Sequence, residues 1–200
     1  MIKRLVDAGV VVAAGHSAAN YEQTKSALTA GLSSFTHLFN AMTPFTSREP
    51  GMVGAALEDA NSFCGIIADG YHVHPATIKV AHQAKAKGKC VLVTDAMPSV
   101  GSADKNFMLN GEMIQCTNGK LTTATGTLAG SDLDMLSAVK NTYKTSGIAL
   151  EEAIRMASEY PAAMMGEKHL GKLAAGNTAS MILIDDDFKL VRSWINGSER

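Results

Sequence analysis

The chain has 200 residues, with 18 basic and 19 acidic side chains and a formal net charge of −1. This length is sufficient for one sizeable hydrophobic core. The near-neutral charge gives no electrostatic reason to bind nucleic acid or an anionic membrane, and no apolar run reaches the ~18 residues of a membrane span. Cys64, Cys90 and Cys116 form no CxxC pair, so we expect a protein of the reducing cytoplasm without a disulfide framework.

Apolar runs alternate with helical patterns in the first half of the chain. Asn20 and Gln23 indicate a capping box at the start of one helix, and Pro75 is typical of the first turn of another, which we expect to end at Gly88. Alternate lysines over 85–89 indicate an exposed helix end, and 40–54 is predicted to be a loop. Buried strands are predicted at 10–14, 34–38, 64–68 and 90–94. This alternation is typical of a parallel sheet covered by helices.

The second half of the chain has a different pattern. Asn-Gly pairs at 110–111 and 118–119 are strong signals for β-hairpins. Ser131 is predicted to cap a helix that ends before Gly147, and a further helix is predicted to end before Pro161. Strands are predicted near the end of the chain at 181–185 and 189–195.

Polar residues with catalytic potential follow the four predicted parallel strands. These residues are His16, His37, His72 and Asp95. Side chains at the carboxyl ends of parallel strands converge on one mouth of a (β/α)₈ barrel. One such histidine alone would be most simply a surface group. Three imidazoles and a carboxylate in equivalent places favour a site for Zn²⁺ or Fe²⁺ with a general base.

Ordered motifs surround these residues over nearly the whole chain. They are Gly15-His16-Ser17, THLFNAM at 36–42, REPG at 48–51, IADGYH at 67–72, VTDA at 93–96, LAGS at 128–131 and GKLAAG at 171–176. In this order they resemble the motifs of the N-acetylglucosamine-6-phosphate deacetylase family of the amidohydrolase superfamily. The blocks at 36–51, 67–72 and 93–96 are the most specific part of the resemblance.

The resemblance implies an activity and a set of site residues. The activity is metal-dependent hydrolysis of N-acetyl-D-glucosamine 6-phosphate to D-glucosamine 6-phosphate and acetate, in amino-sugar catabolism. His16 and His37 would ligate one or two divalent ions, Zn or Fe, and Asp95 would be the catalytic base and acid. The expected substrate contacts are Asn40, Ala41, Arg48, His72, Leu128, Ala129 and Gly130. The forked guanidinium of an arginine is well suited to binding a phosphate.

The resemblance also implies an α/β fold. We expect residues 1–175 to form the C-terminal half of a (β/α)₈ TIM-type barrel with a β-hairpin insertion, and residues 176–200 to supply strands of a small β-domain. The family's acidic metal ligand, a glutamate, lies upstream of the Gly15-His16-Ser17 motif. We therefore expect the isolated chain to bind metal weakly, to be inactive and to associate, as a homo-oligomer such as a dimer, through unpaired strand edges.

Two alternative functions remain open from the sequence. The first is a different amidohydrolase that acts on cyclic amides, against which Asn40 and Arg48 favour a phosphorylated substrate. The second is a catalytically inactive fragment that binds metal or another subunit, as the missing glutamate would allow.

Overall fold

The central feature of the computed structural model, which describes residues 1–200, is a parallel sheet with helical crossovers. Its strands, in chain order, are β1 (Ala13–Ala14), β2 (Ser34–Phe35), β3 (Phe63–Ile67) and β4 (Cys90–Val93). The associated helices are α1 (Ile2–Asp7), α2 (Tyr21–Thr29), α3 (Gly51–Glu58) and α4 (Pro75–Ala84). The sheet order β1-β2-β3-β4 follows the sequence, and every neighbouring pair is parallel. All four strands therefore end at the same edge of the sheet.

The core lies between this sheet and its covering helices. Phe35, Ile66 and Leu92 on the strands are at most 2% exposed and contribute to one cluster of 23 buried residues. Val53 of α3 and Ile78 of α4 belong to the same cluster, which joins both helices to the sheet. Burial of each such side chain stabilises the fold by about 1.5–3 kcal/mol, so the sheet is a rigid base for its loops.

Two further antiparallel sheets follow the parallel one. The first contains β5 (Phe107–Leu109), β6 (Glu112–Thr117) and β7 (Lys120–Thr122), and the second contains β8 (Met181–Ile184), β9 (Leu190–Ile195) and β10 (Ser198–Glu199). Between them lie α5 (Met135–Ser146), α6 (Leu150–Ala157) and α7 (Glu159–Met164). Asn110 and Asn118 adopt φ of 50° and 53° in the two hairpin turns, as type I′ turns require. Both predicted hairpins are confirmed.

Local capping signals in the sequence were also accurate. The side chain of Asn20 accepts a hydrogen bond from the N–H of Gln23 at 2.9 Å, and the side chain of Gln23 accepts one from the N–H of Asn20 at 3.0 Å. Pro75 is the first residue of α4, and the ring of His74 caps that helix. No helix in the structure combines the length and the apolar character that a membrane crossing needs.

Several predicted boundaries were wrong. Helix α3 occupies part of the segment 40–54 that was predicted to be a loop, and α4 ends at Ala84, before Gly88. Asp134 caps α5 in place of Ser131, whose hydroxyl instead donates to the carbonyl oxygen of Thr94. Pro161 lies inside the first turn of α7, where the missing N–H would have no partner within the helix, so it does not end a helix there.

Lys85 is the clearest departure from the sequence pattern. It is 4% exposed, although the spacing of the lysines indicated a solvated helix end. Its ammonium group donates to the carbonyl oxygen of Ala56 at 2.6 Å, to the carbonyl oxygen of Asp59 and to the hydroxyl of Ser62 at 3.2 Å. Burial lowers the pKa of this group. The three acceptors, which lie at and just after the C-terminal end of α3, receive the three hydrogens of the cation.

Replacement of Lys85 by methionine is expected to destabilise the fold. Lys85→Met keeps the apolar stem but leaves buried carbonyl oxygens unpaired, which costs about 1–3 kcal/mol. The midpoint of urea unfolding measures this loss. Lys87→Met is the matched control, because Lys87 is exposed and its substitution should change stability by less than ~0.5 kcal/mol. Equal midpoints for the two variants would contradict a structural role for the buried ammonium.

Candidate functional site

The edge at which the parallel strands end carries a repeated placement of polar residues. His16, His37, Asp69 and Asp95 each lie two residues beyond the last residue of β1, β2, β3 and β4. The sequence pattern had assigned His72 to the third of these positions. The structure instead places Asp69 there, with His72 three residues later in the same loop.

A left-handed backbone conformation marks three of these four positions. The φ angles are 47° at His16, 29° at His37 and 52° at Asp95. Such a conformation is unfavourable for residues other than glycine and is concentrated at functional sites in proteins. At His37 it also explains why β2 ends before the predicted strand 34–38 does, since a strand cannot continue through a left-handed residue. β1 is instead shorter than the predicted strand 10–14 at its N-terminal end.

His16 and His37 lie in direct contact. Their Nε2 atoms are 3.0 Å apart, and the rings meet edge to face with centroids 4.9 Å apart. His37 is 6% exposed, and its Nδ1 atom has no hydrogen-bond partner. Two imidazole nitrogens on one tetrahedral Zn²⁺ would be about 3.3 Å apart, given Zn–N distances of ~2.0–2.1 Å. The pair therefore fits a shared cation, which would receive both lone pairs.

The structure brings no third protein ligand to this pair. No group of three or more histidine, cysteine, aspartate or glutamate side chains in the chain is arranged to hold a metal ion. His16 also lines a shallow depression of about 530 Å³ with Ala41, one of the predicted substrate contacts. His16 is thus open to a ligand from the side of this depression, whereas His37 is buried beside it.

Asp95 lies in an exposed position beside the loop that follows the hairpins. Its side chain is exposed and neither carboxylate oxygen accepts a hydrogen bond from the protein, so both are open to a ligand or to water. The carbonyl oxygen of Asp95 accepts a hydrogen bond from the N–H of Ser131 at 2.9 Å. A Cβ atom at Gly130 would be 3.1 Å from that same oxygen. The predicted contact segment Leu128, Ala129, Gly130 therefore ends against the backbone of Asp95.

His72 forms a buried pair with Asp69. Its Nδ1 atom is 2.6 Å from Oδ2 of Asp69, and both side chains are 7% exposed. Burial raises the pKa of the Asp69 carboxyl, but hydrogen bonds from the ring and backbone of His72 and from the backbone of Tyr71 outweigh it and leave the pKa lowered. Asp69 was not among the residues predicted for the site. The spacing of three residues between the carboxylate and the ring was the available signal.

The remaining predicted contacts lie in the loop that follows β2. The amide of Asn40 donates to the carbonyl oxygens of His37 and Leu38, both at 3.3 Å, so it supports the loop that carries the histidine. Arg48 is exposed and forms no ion pair, so its guanidinium is free for a ligand. Its neighbour Glu49 instead accepts hydrogen bonds from the first N–H groups of α2 and α3.

One contact joins the hairpin sheet to the loop of Asp69 and His72. The hydroxyl of Tyr71 donates to the carbonyl oxygen of Asn118, at the second hairpin turn, at 2.6 Å. The sequence gave no indication of this contact, because the two residues are 47 positions apart. The hairpin sheet therefore borders the edge that carries the polar residues.

Comparison with known proteins identifies relatives that match nearly the whole chain. The sequence is 43% identical over 196 residues to an N-acetylgalactosamine-6-phosphate deacetylase of Shewanella sp. (strain ANA-3), covering 98% of this chain and 50% of that protein. It is 41% identical to the N-acetylglucosamine-6-phosphate deacetylase of Vibrio furnissii, covering 97% and 49%. The crystal structure of N-acetylglucosamine-6-phosphate deacetylase from Pasteurella multocida superposes with a TM-score of 0.96 at 35% identity, covering 100% and 52%.

The chain spans about half the length of these relatives. Its fold is the α/β fold of the solved deacetylase structure, as the superposition over the whole chain shows. Residues 1–199 match the sequence profile of the Amidohydrolase family. Because this match extends over nearly all of the chain, the protein belongs to the amidohydrolase family.

Proposed function

We propose that this chain carries catalytic residues of an enzyme that hydrolyses N-acetyl-D-glucosamine 6-phosphate to D-glucosamine 6-phosphate and acetate. The observation that carries the proposal is the contact of His16 and His37 at the sheet edge where Asp95 also lies. The relatives in Vibrio furnissii and Pasteurella multocida bear the name of this activity.

The proposed chemistry assigns distinct tasks to the side chains. His16 and His37 hold a divalent cation, Zn or Fe, which supplies Lewis-acid activation of water and of the amide carbonyl when it is bound. Asp95 accepts a proton from the attacking water at its free carboxylate. The protonated Asp95 then donates this proton to the departing amine as the C–N bond breaks. The acetic acid formed in this step loses its remaining proton to the amine or to water, which leaves acetate and the protonated amino sugar.

Substrate recognition is assigned to the surrounding loops. Arg48 binds the phosphate, with Asn40 and Ala41 beside it, and His72 contacts the sugar and helps to polarise the acetyl carbonyl. The segment Leu128, Ala129, Gly130 lines the acetyl end, next to the proton carrier Asp95. An amidohydrolase of cyclic amides would have no use for the free guanidinium of Arg48. This residue therefore favours the sugar phosphate.

A second candidate substrate is the C4 epimer, N-acetylgalactosamine 6-phosphate. The Shewanella relative, at 43% identity, bears the name of the galactosamine activity. The same catalytic residues would serve both sugars, since the reacting amide and the phosphate are common to them. Assays with both epimers distinguish the two candidates.

Four broader expectations accompany this function. The parallel strands β1 to β4 belong to a (β/α)₈ barrel, and residues 176–200 belong to a small β-domain. The chain is expected to act in the cytoplasm. Homodimer formation is supported by an apolar groove of about 750 Å³ between α3 and α4, in which Phe45 is 65% exposed and Val80 is 62% exposed.

Metal binding by the purified chain is expected to depend on both histidines. His16→Ala and His37→Ala should each weaken the binding of Zn²⁺ at least tenfold, about 1.4 kcal/mol, because each removes one of two protein ligands. Isothermal titration calorimetry measures the affinity. His169→Ala is the control, because His169 is exposed and remote in sequence from the site. Unchanged affinity in either site variant would contradict the ligand assignment.

A chimaera tests the function and the role of Asp95 together. In it, this chain replaces the 196 matching residues of the Vibrio furnissii relative. Acetate release from N-acetylglucosamine 6-phosphate should occur with Zn²⁺ or Fe²⁺, and Asp95→Asn should reduce kcat by about 10²–10⁴-fold while Zn²⁺ affinity persists. Asp186→Asn, at an exposed residue, should leave kcat unchanged. An inactive chimaera would contradict the function, and full activity of Asp95→Asn would contradict the proton transfer.

Arg48→Ala in the same chimaera is expected to weaken recognition of the phosphate. The loss of a charged hydrogen-bond donor, worth about 1.5–3 kcal/mol, corresponds to a fall of about 10–150-fold in kcat/KM for the phosphorylated sugar. N-acetylglucosamine without the phosphate should show no such fall. Arg192→Ala on β9 is the matched control. Equal losses with both sugars would show that Arg48 does not bind the phosphate.

A further inference from the structure

Asp69 occupies a place in the fold that the proposed chemistry does not use. It lies two residues beyond β3, the position at which β1 and β2 carry the histidines and β4 carries Asp95. Its backbone is not left-handed, in contrast to the other three positions. Its carboxylate is directed back into its own loop, toward His72.

Both carboxylate oxygens of Asp69 are engaged. Oδ1 accepts hydrogen bonds from the backbone N–H groups of Tyr71 at 2.9 Å and His72 at 2.8 Å. Oδ2 is 2.6 Å from Nδ1 of His72, and a carboxylate can only accept, so the ring must carry its hydrogen on Nδ1. The lowered pKa of Asp69 keeps the carboxyl ionised and able to accept in this way. Its remaining capacity for proton transfer is therefore small.

We propose that Asp69 is a positioning residue that holds the hydrogen of His72 on Nδ1 and thereby presents Nε2 to the substrate. Its importance for the reaction rests on the proposed function, but its effect on the ring does not. A ring with 7% side-chain exposure and one nitrogen fixed by a carboxylate has one orientation and one neutral tautomer. The residue thus acts on the substrate through His72.

A simpler explanation of the Asp69 contacts is that this carboxylate only stabilises its own turn. The turn at Asp59 allows a direct comparison. Oδ1 of Asp59 accepts hydrogen bonds from the N–H groups of Asn61 at 3.1 Å and Ser62 at 2.6 Å, in the same turn geometry. No histidine contacts Asp59. The turn therefore needs only one carboxylate oxygen, and the contact of Asp69 with the imidazole is additional to it.

The test is a ¹⁵N NMR measurement of the His72 ring in the purified 200-residue chain without added metal. A series of pH values distinguishes the charged ring, in which both nitrogens carry hydrogen, from the two neutral tautomers. In the unsubstituted chain, Nδ1 should carry hydrogen throughout. In Asp69→Asn, the amide oxygen can still accept from Tyr71 and His72, but the NH₂ group facing Nδ1 can only donate. The hydrogen of the neutral ring should therefore move to Nε2.

Asp59→Asn is the matched control, because it makes the same chemical change in the same kind of turn and should leave the His72 signals unchanged. A neutral ring with hydrogen on Nε2 in the unsubstituted chain would overturn the proposal even if the variant failed to fold. An unchanged tautomer in folded Asp69→Asn would overturn it as well.

Addition of N-acetylglucosamine 6-phosphate separates this proposal from the function itself. The sugar phosphate is expected to shift the signal of Nε2 more than that of Nδ1. If Nδ1 carries the hydrogen as expected and a larger shift occurs at Nδ1, the positioning role is overturned. If the chimaera fails to release acetate while the ring changes tautomer in Asp69→Asn, the proposed function is contradicted and the control of the ring by Asp69 is supported.

Discussion

The left-handed turn two residues after a parallel strand is the constraint on which the candidate site depends. His16, His37 and Asp95 adopt this conformation at a cost of about 1–3 kcal/mol each. Hydrogen bonds to the neighbouring chain segment resume at once: the N–H of Ser17 donates to Ala41, and the N–H of Leu38 donates to Gly65, at 3.0 and 2.7 Å. His16 and His37 are therefore each held by the strand that precedes them and by the backbone hydrogen bond of the residue that follows them. Local breaks in strand conformation of this kind change the direction in which side chains point at the edges of sheets.

Two glycines, Gly65 and Gly130, lie where neighbouring segments pack closely against the loops of the site. A Cβ atom at Gly65 would lie 3.3 Å from the backbone nitrogen of His37, and one at Gly130 would lie 2.4 Å from the side chain of Met97. The neighbouring segments approach so closely that a larger residue would displace the loops. The position of His37 and of Asp95 thus depends on glycines that have no chemistry of their own. Substitutions at these glycines should disturb the site through the backbone.

The sequence predicted those parts of the fold whose signals are local. The capping box of Asn20 and Gln23 and the two Asn-Gly turns depend only on neighbouring residues, and all three were correct. Helix α3 was missed because its sequence contains two glycines and its N-cap residue, Pro50, provides no side-chain hydrogen bond. Its stability depends largely on burial against the sheet, with Glu49 accepting a hydrogen bond from its first N–H group. The burial of Lys85 was missed for a related reason, since its three acceptors lie 23 to 29 residues earlier in the chain.

The two aspartates at the sheet edge, Asp69 and Asp95, show which features of the site could be predicted from the sequence. Strand order made the contact of His16 and His37 predictable, since successive strands end side by side. No pattern distinguished the environments of Asp69 and Asp95, which depend on how each loop folds. Asp69 is buried with both oxygens bonded, and Asp95 is exposed with both oxygens free of protein partners. A carboxylate that must gain and lose a proton in each turnover needs free oxygens, whereas one that orients a ring needs fixed bonds. The two environments therefore suit the two proposed roles, although the residue type and the position after the strand are the same.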